Sequence, residues 1–165
     1  MPRVLIIGYG NCLRADDAVG AEAADRLAEF YGDDPHVRVI SAHQLTPDVI
    51  YDVADADFLL LLDAAASGVP GIIKRTTVAA HDSQSAFTHG WTPATVLLAS
   101  RSLYGRAPTA VSLTLAAESF ELGTDLSPTI RDRVTDFLAA AKQVVSEWLA
   151  ASLDAAEPGT VSCKK

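Results

Sequence analysis

The chain has 165 residues, 49% of them hydrophobic, which suits one domain with one sizeable core. Its formal net charge of −8 argues against a general nucleic-acid binder or an anionic-membrane binder, since both need a basic surface. Two cysteines, Cys12 and Cys163, form neither a disulfide framework nor a CxxC metal pair.

The opening MPRVLIIGYGN enters a strand at once, without the charged start and long apolar segment of a signal peptide. The apolar run Phe58 to Leu62 is far too short to span a bilayer, so a cytoplasmic chain is the expectation. Val4 to Ile7 reads as a buried strand ended by Gly8. The loop GYGNCLRADDAVG follows. Beyond it, Ala18, Val19, Ala21, Ala24, Leu27, Ala28 and Phe30 recur at helical spacing. Asp16 or Asp17 falls at the start of that helix, where unpaired amides favour acids. Tyr31 to Pro35 stops the helix, and Val37 to Ile40 forms a second strand. Thr46 and Pro47 predict a helix start, with Thr46 as N-cap. Phe58 to Leu62 is a third strand, closed by Asp63.

Gly68 to Gly71 turns the chain into a fourth strand, Ile72 to Val78, before a polar stretch from Ala79 to His89. Thr92-Pro93 starts a helix to about Ser102, and Ala110 to Leu115 is a fifth strand. Ser127-Pro128 opens a long amphipathic helix to about Leu149. The resulting expectation is an α/β three-layer sandwich: about five strands in a mostly parallel twisted sheet, with helices on both faces. Residues 1–154 form one domain in this reading, and 155–165 a disordered tail.

In such a sheet, ligands bind outside the carboxyl ends of the strands. That edge collects the Gly8–Asp17 loop, His43, Asp63, His81, His89, Glu118 and Ser119. Nucleotide binding fits poorly. Gly8-Tyr9-Gly10 opens like a GxGxxG loop, but Leu13 stands at the third glycine, and acids at the helix start repel a pyrophosphate. A metal fits better: Asp17, Asp63 and His89 offer two carboxylates and an imidazole, an N/O set suited to Ni, Zn, Mn or Fe, with positions left open. Against this, an acid at 16 or 17 can simply cap a helix, Asp63 can satisfy strand-end amides, and His89 can be a plain loop histidine. Two adjacent acids can also divide labour, one capping and the other entering the cleft. There is no GxSxG elbow for a serine nucleophile. Cys12 with His89 as base is a further option, set against a cysteine acting as a small hydrophobe.

Several segments in order resemble one family. VLIIGYGNCLRADDAVGAEAADRL is similar to the N-terminal signature of the hydrogenase maturation endopeptidases: an apolar strand, GxGN, an acidic pair, then an apolar residue and Gly. FLLLLDA, FTHGWTPATVLL and LTLAAESFELGTDLSPTI resemble its later signatures, so the likeness runs from about Arg3 to about Leu149. The resemblance implies an endopeptidase that removes a C-terminal extension from the large-subunit precursor of a nickel–iron hydrogenase after nickel insertion. It implies that Asp17, Asp63 and His89 are the metal-contacting and catalytic residues. Gly8, Gly10, Asn11 and Asp16 would then shape the loop beside the metal. The nickel would be carried by the substrate, although other divalent ions such as Zn or Cd can occupy such a site. SAHQLTPDV stands where many members carry an Asp-Gly-Gly-Thr-like motif; it resembles the subgroup serving bidirectional, pyridine-nucleotide-linked hydrogenases, and leaves His43 either to join the site or to pack and hydrogen-bond beside the cleft. Ligation needs neutral histidine and ionised acids, so binding should weaken below about pH 6.5. The partner is the large-subunit precursor, with no nucleic acid and no membrane, and the chain is expected to act as a monomer. A non-proteolytic metal-binding chaperone of the same fold is the alternative, because fold does not imply function.

Overall fold

The fold was taken from a computed structural model, which describes residues 2–80 and 90–155, the side chains of 154 and 155 excepted. Five strands form one sheet in the order β2-β1-β3-β5-β4. They are β1 (Val4–Tyr9), β2 (Val37–Ala42), β3 (Phe58–Ala65), β4 (Ile73–Val78) and β5 (Thr109–Ala116). All pairs are parallel except β4 with β5, which is antiparallel. Helix α1 (Val19–Tyr31) links β1 to β2, α2 (Ile50–Asp55) links β2 to β3, α3 (Pro93–Tyr104) precedes β5, and α4 (Pro128–Ala155) follows it.

The apolar runs of the inner strands are continuous because both faces of the sheet are covered. Alternation sorts their residues. Val4 and Ile6, Leu60 and Leu62, and Val111, Leu113 and Leu115 join a core containing Leu27 of α1 with Ile130, Val134, Phe137 and Val145 of α4. Leu5, Ile7, Leu59, Leu61 and Ala110 face the other way, onto Val53 of α2 and Val96 and Leu97 of α3. Phe58 stacks on Trp148 at 4.9 Å between ring centres, pinning α4 to the start of β3. The outer strand β4 is mostly exposed and carries Lys74 and Arg75, charges that discourage further pairing at an edge. Arg75 also reaches Glu147 of α4 at 2.8 Å.

The boundaries differ from expectation in several places: β1 runs through Gly8 to Tyr9, and β2 runs past Ile40 to Ala42. Strand β3 runs on through Asp63 to Ala65, so Asp63 lies within the strand, held in register opposite Thr114. Strand β4 starts one residue later, at Ile73. Helix α4 is 28 residues long and passes Leu149. The acidic pair lies in a separate 3-10 turn, Ala15–Ala18, ahead of α1. Helix α3 starts at Thr92-Pro93 as expected, and Thr92 caps it in a reciprocal bond pair with Thr95. Thr46 precedes a 3-10 turn, Pro47–Val49, without a side-chain cap bond to it; its hydroxyl turns instead to Asp48. Among the described residues, no helix is long and apolar enough to cross a membrane. The tail expected to be disordered falls largely outside the described residues.

Candidate active-site cleft

The strand order reverses direction at β1, whose two neighbours are β2 and β3. The chain leaves β1 into α1 on one face of the sheet and β2 into α2 on the other, and a crevice opens at the carboxyl ends beside β1. A cleft of about 730 Å³ lies there, with Tyr9, Asn11, Asp17, His43, Asp63 and Trp91 among its lining residues. Arg14, Gln44 and Phe120 contribute to its rim.

Alternation explains which side chains enter. On β1, Tyr9 continues the row of Leu5 and Ile7; on β3, Asp63 continues the row of Leu59 and Leu61. Gly8 pairs in register with Leu62, so Tyr9 and Asp63 are neighbours one step further along. Both leave the apolar layer where α2 and α3 no longer cover it. The Tyr9 phenol lies within hydrogen-bonding reach of the Asp63 carboxylate, and burial with that acid beside it pushes the phenol pKa well up. Burial raises Asp63 to about 6; the Tyr9 hydroxyl and the Ala64 amide oppose the rise, and the charge of Asp17 adds to it.

Asp17 is partly exposed and accepts the Asn11 amide at 2.8 Å. Asn11 folds its own loop by accepting the Leu13 amide at 2.9 Å through its side chain. Gly10 adopts φ +154°, and a Cβ there would lie 1.8 Å from the Asp17 carbonyl oxygen. Gly8 and Gly20 permit a second close approach. A Cβ on Gly20 would lie 2.3 Å from the Leu62 oxygen and 2.5 Å from the Tyr9 oxygen, so the start of α1 rests directly on the ends of β1 and β3.

Asp16 does not line the cleft. It is fully buried and takes four hydrogen bonds. Its Oδ2 accepts the Glu118 amide at 3.0 Å, the Ser119 amide at 2.9 Å and the Ser127 hydroxyl at 2.8 Å, while Oδ1 accepts the Ser127 amide at 2.7 Å. Burial alone would raise its pKa. The bonds from Ser127, Ser119 and Glu118 more than reverse this and hold it below the ordinary carboxylate range. Of the two roles open to Asp16, shaping the loop or capping the helix, its bonds follow the first. Asp16 serves no amide of its own helix; it ties the first loop to residues 118–127, at the foot of α4.

Of the residues read from sequence, Asp17, Asp63, Asn11, Gly10 and His43 come together around one cleft. Gly8 lies beneath it in β1. His89 and His81 lie outside the described residues. Among the described residues, no three His, Cys, Asp or Glu side chains gather closely enough to hold a metal by themselves. Cys12 is exposed and does not line the cleft. Tyr9 was not read as a site residue, although its place in the row of Leu5 and Ile7 carried that signal.

Fold and cleft together define an α/β protein with paired carboxylates at the switch point of a five-stranded sheet. No family profile matches the chain. It is 29% identical over 134 residues to the hydrogenase 2 maturation protease of Escherichia coli, covering 78% of this chain and 81% of that one. It is 26% identical over 156 residues to the hydrogenase expression/formation protein HupD of Bradyrhizobium diazoefficiens, covering 88% and 79%. Its fold is similar to the hydrogenase maturating endopeptidase HybD of Escherichia coli, with a TM-score of 0.72 at 25% identity, covering 88% and 93% of the two chains. The [NiFe] hydrogenase maturation protease HycI of Thermococcus kodakarensis has the same fold, with a TM-score of 0.72 at 22% identity over 88% and 93%. In sequence and in fold the chain is thus similar to the hydrogenase maturation endopeptidases.

Proposed function

We propose that this peptidase removes the C-terminal extension of a nickel–iron hydrogenase large-subunit precursor, in the cytoplasm, once nickel has been inserted. The observation that carries the reading is the meeting of Asp17 and Asp63, from different elements, in a cleft roomy enough for a peptide segment. Nickel is the substrate's own cargo in this scheme. Asp17 and Asp63 contact it together with His89, and the scissile peptide is positioned by that contact. A precursor without nickel lacks the anchor and is left uncut. The donor set suits the task, since two carboxylates and an imidazole bind a divalent ion while leaving room for the ligands it already has. The ion can also polarise the scissile carbonyl or supply an activated water. Other divalent ions, Zn and Cd among them, fit the same donors.

Tyr9 gives the site a further device. Its phenol beside Asp63 engages one part of that carboxylate and leaves the rest to face the nickel. His43 also lines the cleft, where it contacts the incoming segment. A histidine at this place supports the subgroup that serves bidirectional, pyridine-nucleotide-linked hydrogenases.

The test is deletion of the gene in its source cell, followed by intact-mass measurement of each nickel–iron hydrogenase large subunit. One subunit is expected to retain its extension, with cleavage restored by the wild-type gene and not by Asp17→Asn. Normal masses throughout, or full rescue by Asp17→Asn, would overturn the assignment. A subunit that is normally cut yet stays bound to this chain would instead indicate a chaperone that does not cleave.

A further inference from the structure

The two loops at the mouth of the cleft are fastened to each other more firmly than exposed loops require. Beyond the four bonds to Asp16, the Ala15 amide donates to the Gly123 oxygen at 2.9 Å and the Gly123 amide donates to the Leu13 oxygen at 3.0 Å. Arg14 and Gly123 thereby form a short parallel bridge. What this order holds in place is apolar: Leu122 is 85% exposed and Leu13 58% exposed. Phe120, from the same loop as Leu122, reaches the rim of the cleft, so the apolar lip and the cleft are continuous. A slack loop could fold such leucines inward; these are fixed in water by backbone bonds on both sides. Their surroundings are acidic on balance: Glu118, Glu121 and Asp125 are exposed, against the exposed Arg14 beside Leu13.

We infer that the lip of Leu13 and Leu122 is the docking surface for the precursor segment leaving the cleft, an extended stretch with an apolar side chain flanked by basic residues. The inference rests on the peptidase reading and adds how the substrate is gripped beyond the nickel. Two leucines offer an apolar contact, and three carboxylates around them select a cationic neighbour. A second copy of this chain suits the surface poorly, because a twofold contact would set the same carboxylates against each other.

The substitutions Leu13→Ser and Leu122→Ser lie in water and leave the fold intact, which thermal melting verifies. Cleavage of the nickel-loaded large-subunit precursor is then followed at several concentrations. The double variant should raise KM roughly tenfold, with kcat within about twofold of wild type, since the contact lies away from the reacting atoms. Glu121→Lys should raise KM and flatten its dependence on salt. An unchanged KM in the double variant would overturn the inference, as would sedimentation showing a wild-type dimer that these changes dissociate without altering KM. If wild-type protein leaves the precursor uncut, the peptidase reading is what fails. Calorimetric binding of the same precursor then decides the lip: weakened binding in the double variant upholds it, and equal binding overturns it.

Discussion

Asp16 and Asp17 are adjacent in the chain and opposite in circumstance. Asp16 is sealed from water with four donors around its two oxygens, and its depressed pKa makes it a stabilising charge. A group lowered in the folded state contributes stability that is present above its unfolded pKa, about 3.9, and lost as pH falls through the folded value. Asp16→Ala should cost about 3 kcal/mol at pH 7, because the Ser127 and Ser119 donors lose their partner. The penalty should shrink in melts carried below about pH 3.9, where the unfolded wild-type chain takes up a proton at this carboxylate before the folded one does. Asp63 has the reverse sign. Burial raises it to about 6, so between about 3.9 and that value the folded state binds more protons than the unfolded one. Its contribution to stability therefore falls as pH rises across this window and stays low above it. Asp63→Asn should melt higher than wild type at pH 8, by roughly 1–3 kcal/mol, and the difference should vanish near pH 4. A lower melting point for the variant at pH 8 would mean that the buried charge is compensated.

Much of this was legible at the level of elements. The period-two rows of β1 and β3 place Tyr9 and Asp63 side by side, and the apolar density of those strands signals cover on both faces. Thr92-Pro93 marks the start of α3 directly in sequence, and the structure adds the cap that Thr92 makes with Thr95. Thr92→Ala should lower stability by about 1 kcal/mol in urea titration without altering catalysis, since the cap lies outside the carboxylate pair. The role of Asp16 was not legible, because its partners lie more than a hundred residues away and no local pattern marks them. The importance of Gly20 was equally hidden. Its glycine is required by neighbouring backbone oxygens from two strands and not by its own dihedral angles. Gly20→Ala should therefore cost about 1–3 kcal/mol by overpacking, although an alanine is otherwise the better helix former. A variant as stable as wild type in urea titration would show that α1 can slide off the strand ends.

On the scale of the molecule, one sheet divides two cores, and the cleft opens where neither core's helices reach. The site needs no separate domain, because the strand order itself supplies the crevice. The family likeness reached the fold through ordered motifs at matching spacing. Residues of the mouth, Phe120 and Leu122 above all, stayed silent because exposed apolar side chains are common and only their fastening sets them apart.

The Asp16 tether has a consequence for the birth of the protein. Its bonds span 102 to 111 residues of chain, so the loop beside the cleft waits for Glu118 to Ser127 to be made. A chain still on the ribosome, with β1 and α1 already made, holds an acid that has nothing to grip. The amides of Glu118, Ser119 and Ser127 should consequently exchange with deuterium together, at the rate of global unfolding, while those of β4's outer edge exchange far sooner. Destructive enzymes are often kept idle by a removable segment; here the order of synthesis itself withholds a finished cleft until Ser127 has been made.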